Sequence, residues 1–188
     1  MIHAGYMAKK VSAKPDWIKA PGVGDICSVG YCISEAFCDY IQHWKHNGYW
    51  FFDSPVVIRE IASAEAIDLA AYRLFYYEVY DLQFDEERRA WQPFQPERAF
   101  TTRVEVPARK RLLGFDVVSF NVQTSPECSP LSCNSLAGSI EVNEHCLLPS
   151  LDSAKQLLES GAFDNSEPGP FRVFGVYSCG RLTSSLIT

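Results

Sequence analysis

The 188-residue chain lacks any hydrophobic run long enough to cross a membrane, since a spanning helix needs about 18 apolar residues. It also lacks an excess of positive charge, with 17 Lys and Arg against 23 Asp and Glu and a net charge of −6. General nucleic-acid binding needs a surplus of Lys and Arg on one face. We therefore expect a soluble protein whose partner is neither a membrane nor a nucleic acid.

The motifs of several common enzyme classes are absent as well. The 11 Gly and 11 Pro follow no repeating period, which excludes collagen-like and low-complexity sequences. Gly22 and Gly24 lack the third glycine and the preceding strand of a dinucleotide site, and neither a P-loop nor a Gly-x-Ser-x-Gly motif occurs. With only 4 His, a centre built from several histidines is difficult to assemble, and we predict no cofactor.

Apolar and aromatic residues are abundant, at 47% and 13% of the chain, so a real core is available. A single domain of this length buries roughly 70% of its unfolded surface. The cysteine count is odd and the first residues contain no apolar secretory segment, so we expect free thiols and a cytoplasmic protein. The seven cysteines are Cys27, Cys32, Cys38, Cys128, Cys133, Cys146 and Cys179.

Hydrophobic periodicity predicts the secondary structure. Large side chains recur at helical spacing within 34–46. A second helix begins after Ser54, and a third runs from Ser150 or Asp152 to Ser160. Strands are predicted at 49–52, 73–84, 101–106, 113–123, 145–148 and 171–177. These elements predict an α+β fold with a mixed, largely antiparallel sheet and about three helices.

One order of elements occurs twice along the chain. Residues 49–80 and 145–178 each contain a short apolar strand, a serine-capped helix and a longer strand. This repetition suggests two similar β-α-β halves, although short matches also arise by coincidence in α+β proteins. The predicted organisation is an extended N-terminal arm over 1–24, a single globular domain over 25–179 and a C-terminal tail over 180–188.

The proline-rich loop within 124–134 is the first candidate site, because a loop stiffened by proline can present side chains for binding. Its candidate binding residues are Glu127, Cys128, Ser129, Cys133 and Asn134.

Cysteine chemistry near this loop has two versions. Cys128, Cys133, His145 and Cys146 could bind zinc if the loop folds back, but their spacing differs from common zinc motifs. Small buried cysteines explain the same residues without a metal, so we predict none. Alternatively, Cys133 or Cys128 is a nucleophile with His145 as its base, unless His145 packs in the core.

A polar face of the 34–46 helix is a further candidate. Asp39, His43 and His46 project from one side and could hold a metal. A solvated helix face with an ordinary Asp39–His43 pair explains the same spacing, and we favour it.

Glu78 is a candidate binding residue on the apolar strand 73–84. It falls beside Tyr76 and Tyr80, where its pKa should rise unless a hydrogen bond satisfies the carboxylate. Tyrosine hydroxyls could supply that bond at a pocket. Alternatively, Glu78 faces solvent or forms an ion pair with Arg73 or Arg103.

The acidic charge, the clustered aromatics and the missing catalytic motifs favour a non-catalytic protein that binds a protein partner or a small ligand. An acidic inhibitor of a basic partner, such as an immunity-type protein against a nuclease toxin, is one example. Two alternatives stay open: a small enzyme using a Cys/His pair within 125–146, and a structural zinc protein. The sequence leaves the oligomeric state open.

Overall fold

A five-stranded antiparallel sheet lies at the centre of the computed structural model, which describes residues 1–30, 37, 49–94, 103–120 and 128–182. The helix predicted over 34–46 lies outside these ranges apart from position 37, so that prediction stays untested. The singled-out residues outside the described ranges are Cys32, Cys38, Asp39, His43, His46 and Glu127.

The described strands are β1 (Ile2–Lys9), β2 (Ser12–Ala13), β3 (Asp25–Ile26), β4 (Arg73–Asp85), β5 (Ala90–Pro93), β6 (Arg111–Ser119) and β7 (Phe171–Arg181). The main sheet has the order β1-β4-β7-β6, with β5 paired to the end of β4, while β2 and β3 form a separate ribbon. Each pairing between these strands is antiparallel. The segment predicted as an N-terminal arm therefore contributes β1 to the main sheet.

The helices of the described ranges are α1 (Pro55–Ala64), α2 (Pro130–Cys133) and α3 (Leu151–Ser160). Ser54 caps α1 by accepting the Val56 N–H, and Ser150 caps α3 by accepting the Ser153 N–H. Gly161 ends α3 in a left-handed conformation, with φ of 85°. The antiparallel sheet with its three helices confirms the α+β prediction. None of the helices in the described part of the chain could span a membrane.

The predictions for the long strands are confirmed. The predicted 73–84 and 171–177 correspond to β4 and β7, and β6 contains the first part of the predicted 113–123. These segments are long and rich in aromatic and β-branched residues, which pack well on a pleated surface.

Three predictions for short strands are wrong where the structure describes them. Neither 49–52 nor 145–148 forms a strand, and 103–106 has no strand pairing. The two apolar runs make isolated bridges instead, Phe52 with Tyr6 and Leu148 with Phe115. A short apolar run indicates burial but does not provide a partner strand along its length. The predicted loop 124–134 contains the short helix α2.

The central sheet is buried on one face and over part of the other. Consecutive strand residues point to opposite faces, and in β7 Val173 packs with the α3 residues Ala154 and Leu158, whereas Phe174 contacts Phe51. Tyr177 lies on the same face as Val173 because the two are four residues apart in β7. Helix α3 therefore covers one half of this face, and Tyr177 lies in the other half.

Candidate functional site

The described residues of the predicted loop site are partly buried. Cys128 is buried, and its thiol lies 3.3 Å from the side-chain oxygen of Asn134. Ser129 is also buried, and its hydroxyl donates to Asp116 Oδ2 at 2.6 Å. Cys133 is partly buried and Asn134 is exposed. Cys128 and Ser129 thus contribute to packing, whereas Cys133 and Asn134 remain at least partly accessible.

Asp116 is a fully buried carboxylate that the sequence pattern does not single out. It accepts hydrogen bonds at Oδ2 from the Ser129 hydroxyl and from the Val29 N–H, the latter at 2.7 Å. Burial raises the pKa of Asp116 to about 6, against the lowering effect of these bonds. The buried Lys9 donates from Nζ to the carbonyl oxygens of 28–30 at 2.6 to 3.2 Å. Both side chains therefore hold this segment against the sheet.

His145 lies beside Asp25 and Cys27. Nδ1 of His145 is 2.6 Å from Oδ1 of Asp25, and the Cys27 thiol contacts the same oxygen at 3.6 Å. The potential ligand atoms of these three residues all lie within 4.8 Å of one another. Within the described ranges, this is the one place where three or more His, Cys, Asp or Glu side chains come together in this way. We name these residues the Asp25 cluster. Of the predicted zinc ligands, it contains His145 alone.

Backbone hydrogen bonds place the Asp25 cluster. The Asp25 N–H donates to the Glu144 carbonyl at 3.2 Å, and the Cys27 N–H donates to the His145 carbonyl at 3.1 Å. The side-chain oxygen of Asn143 accepts the His145 N–H at 2.9 Å. Because Asp25 and Cys27 are alternate residues of an extended segment, their side chains project to the same side. The two chain segments are therefore tied together at the cluster itself.

Charged side chains surround the Asp25 cluster. Arg73 Nη1 lies 3.3 Å from Asp25 Oδ2, the oxygen that His145 does not contact. Glu144 Oε1 lies 3.5 Å from His145 Nε2, a buried nitrogen with no hydrogen bond to a described residue. Both the carboxylate and the imidazole thus have a charged neighbour on the side away from their mutual contact.

Burial raises the pKa of three of the described thiols. The pKa of Cys27, which also has the Asp25 carboxylate nearby, and that of Cys146 are raised to about 12. The pKa of Cys179 is raised to about 11. A nucleophilic cysteine attacks as the thiolate, so these three thiols are poor nucleophiles at neutral pH. His145, the base predicted for Cys128 or Cys133, is hydrogen-bonded to Asp25 instead.

Glu78 lies in the half of the sheet face that contains Tyr177. The Tyr177 hydroxyl donates to Glu78 Oε2 at 2.7 Å, and Lys110 Nζ donates to Oε1 at 2.5 Å. His3 Nδ1 lies 3.6 Å from the same Oε1. Burial alone would raise the pKa of Glu78, but the bonds from Lys110 and Tyr177 hold it below its ordinary value. A tyrosine and a cation satisfy this carboxylate, and the cation is a lysine rather than either predicted arginine.

Aromatic rings surround this ion pair. Lys110 Nζ lies 4.7 Å from the ring centroid of Tyr76 and 4.4 Å from that of Tyr177, within cation–π range. The Tyr76 hydroxyl and His3 Nδ1 share a hydrogen bond of 2.5 Å. Leu112 is paired with Tyr177 in the β6–β7 register and is 44% exposed. We name this surface the Glu78 face, consisting of His3, Tyr76, Glu78, Lys110, Leu112 and Tyr177.

Comparisons of the chain with protein-family models, with curated proteins and with solved structures gave no match.

Proposed function

We propose that the chain is a non-catalytic binding module that holds a protein partner on the Glu78 face. The observation that carries this proposal is the accessible half of a sheet face whose other half is covered by α3. There the side chain of His3 is 49% exposed and Leu112 is 44% exposed, above the buried ring of Tyr76. Tyrosine beside an accessible apolar side chain is typical of the central residues of protein interfaces.

Exposed apolar side chains enlarge the Glu78 face. The Met1 side chain, 45% exposed, approaches Gly175, which is paired with Glu78 between β4 and β7. Val106, 54% exposed, follows Glu105, whose carbonyl accepts a hydrogen bond of 2.7 Å from the Tyr6 hydroxyl. A partner could therefore bury apolar area at the edges of the Glu78 face as well as around the Glu78–Lys110 ion pair at the centre of that face.

The charge beside the Glu78 face favours an acidic partner. The segment 103–111 carries Arg103, Arg109, Lys110 and Arg111 against a single carboxylate, Glu105, in a chain of net charge −6. Complementary charge accelerates association and excludes partners of like charge. The basic partner suggested by the net charge is thus less suited to this surface than a protein with acidic side chains around an apolar residue.

The thiols of Cys27, Cys146 and Cys179 favour a cytosolic setting. Cys27, Cys146 and Cys179 are outside disulfides, and such thiols persist in a reducing compartment. Their raised pKa values disfavour nucleophilic attack.

Site-specific photo-crosslinking tests the proposal. A photoreactive phenylalanine analogue replaces Leu112 in one protein and Val56 in another, because both positions are 44% exposed and Val56 lies on α1, outside the Glu78 face. In the cells that make the protein, we expect one discrete adduct from position 112 and none from position 56. The adduct partner, once purified, should bind with 1:1 stoichiometry, and its affinity should fall as salt is raised.

The substitution Tyr177→Ala tests whether the Glu78 face is needed for binding the partner. It removes the ring beside Leu112 and should weaken the purified complex at least tenfold, as expected for an interface hot spot. Equal adducts at both positions, or an affinity unchanged by Tyr177→Ala, would contradict the proposal.

A further inference from the structure

We propose that Asp25, Cys27 and His145 bind a divalent transition-metal ion of the zinc class through Oδ1, Sγ and Nδ1, with a solvent molecule as the fourth ligand. This site is separate from the Glu78 face and does not depend on the partner proposed for that face.

The donor set selects the ion. A thiolate, an imidazole and a carboxylate form a mixed S, N and O set, which suits zinc, whereas calcium and magnesium prefer oxygen ligands throughout. Three protein ligands leave one tetrahedral position open. The ligand atoms require little movement: they already lie within 4.8 Å, and tetrahedral coordination separates them by roughly 3 to 4 Å. Nδ1 and Oδ1, now 2.6 Å apart, must separate by about 1 Å.

The backbone arranges the ligands in advance. Hydrogen bonds from the Asp25 and Cys27 N–H groups to the carbonyls of Glu144 and His145 tie the two ligand-bearing segments together. Asn143 accepts the His145 N–H and fixes the start of its turn. Ordering the ligand segments in the unbound protein reduces the entropy lost when an ion binds.

The outer neighbours match those that metal ligands need. A metal-bound histidine usually donates its other ring N–H to a carboxylate, which orients the ring and strengthens the ligand. Glu144 Oε1 is 3.5 Å from the buried Nε2 of His145, which makes no hydrogen bond to a described residue. On the other ligand, Arg73 contacts Asp25 Oδ2 and leaves Oδ1 for the ion.

The open side of the cluster faces solvent. The Asp25 side chain is 24% exposed and that of His145 is 14% exposed, whereas Cys27 is buried. An ion can therefore enter past the carboxylate.

Binding has a defined proton balance. The ion replaces the Cys27 thiol proton, which is released to solvent, and forms a bond to Sγ. Coordination through Nδ1 requires the proton shared there with Asp25 to leave, and Nε2 is the other ring nitrogen that can carry it. The Nε2–H then has Glu144 within reach.

Metal titration of the full chain tests the site. We expect one equivalent of zinc per chain after dialysis, and with Co²⁺ as the spectroscopic probe we expect a thiolate-to-cobalt charge-transfer band in the near ultraviolet. Cys27→Ser should abolish that band, and His145→Gln should weaken zinc binding at least tenfold. Glu144→Gln, at a side chain that is 74% exposed, should weaken it about tenfold without loss of the fold.

Other cysteines provide the controls. Cys179→Ser, and the double substitution Cys32→Ser with Cys38→Ser, should leave both the stoichiometry and the charge-transfer band unchanged. Near-ultraviolet circular dichroism checks that each variant is folded. Absence of stoichiometric zinc would overturn the proposal, as would a band that survives in folded Cys27→Ser or an affinity that Glu144→Gln does not change.

Discussion

The Ser129 hydroxyl donates a 2.6 Å hydrogen bond to Asp116 in a part of the protein that solvent does not reach. Burial raises the pKa of Asp116 from 3.8 to about 6. The folded protein therefore binds this proton more tightly than the unfolded chain does. The stability that Asp116 contributes is complete below about pH 4 and is lost as the pH rises through about 6.

Replacing Asp116 by Asn tests this pH dependence. The wild-type free energy of unfolding should fall relative to that of Asp116→Asn by up to about 3 kcal/mol between pH 4 and pH 7, because one pKa unit corresponds to about 1.4 kcal/mol. Urea denaturation at four pH values measures the difference. Asp16→Asn, at an exposed carboxylate, is the control. If the difference in unfolding free energy between wild type and Asp116→Asn did not change with pH, the raised pKa of Asp116 would be refuted.

Glu78 should show the opposite pH dependence. Its pKa is below the ordinary 4.5 because Lys110 and Tyr177 stabilise the charged form, so its stabilising contribution is present at neutral pH and is lost in acid. The difference in unfolding free energy between wild type and Glu78→Gln should therefore shrink as the pH falls below about 4.5. Tyr177→Phe should cost about 1 kcal/mol at pH 7, since it removes one hydrogen bond. A stability gap that widens in acid would be incompatible with the observed contacts.

Lys9 is expected to stabilise the segment that follows the Asp25 cluster. Its buried ammonium donates to three carbonyls in 28–30, and Lys9→Met would leave these acceptors without their cation. We expect a loss of about 3 kcal/mol in unfolding free energy, measured by chemical denaturation. Lys19→Met is the matched control, because the exposed Lys19 donates to one carbonyl, that of Asp16, and should change stability by less than about 0.5 kcal/mol. Equal effects of the two substitutions would show that the buried contacts add nothing.

Local signals were sufficient for helices α1 and α3 and for strands β4 and β7, but not for β1, whose segment was predicted as an arm. The caps at Ser54 and Ser150 act within three residues. The segments 73–84 and 171–177 contain enough aromatic and β-branched residues for their composition to predict strands. The strand predictions for the short apolar runs 49–52 and 145–148 were wrong because strand formation depends on a partner elsewhere in the chain. The duplication of the two halves stays a prediction, although both short runs end in a bridge three residues before a helix.

Fewer of the candidate site residues could be predicted from the sequence. His145 stood out as a possible base or zinc ligand, but its contact Asp25 is 120 residues away. Asp116 looked like an ordinary residue of the predicted strand 113–123 and Lys9 like a residue of the predicted arm, since only the fold buries them. Glu78 was noticeable because a carboxylate on an apolar strand conflicts with its surroundings, and that conflict is visible locally.

Gly114 links the sheet to the turn that carries His145. Its φ of 153° is unfavourable for other residues, and a Cβ there would lie 2.7 Å from Leu147 Cβ and 2.9 Å from the Asn143 side-chain nitrogen. Gly114→Ala must therefore displace the turn, and we expect a loss of roughly 1 to 3 kcal/mol in unfolding free energy together with weaker zinc binding. Denaturation and zinc titration measure the two effects. In the control Gly22→Ala, a Cβ meets no atom within 4 Å, so neither the unfolding free energy nor the zinc affinity should change. If the two alanine variants gave the same results, this coupling between β6 and the Asp25 cluster would be excluded.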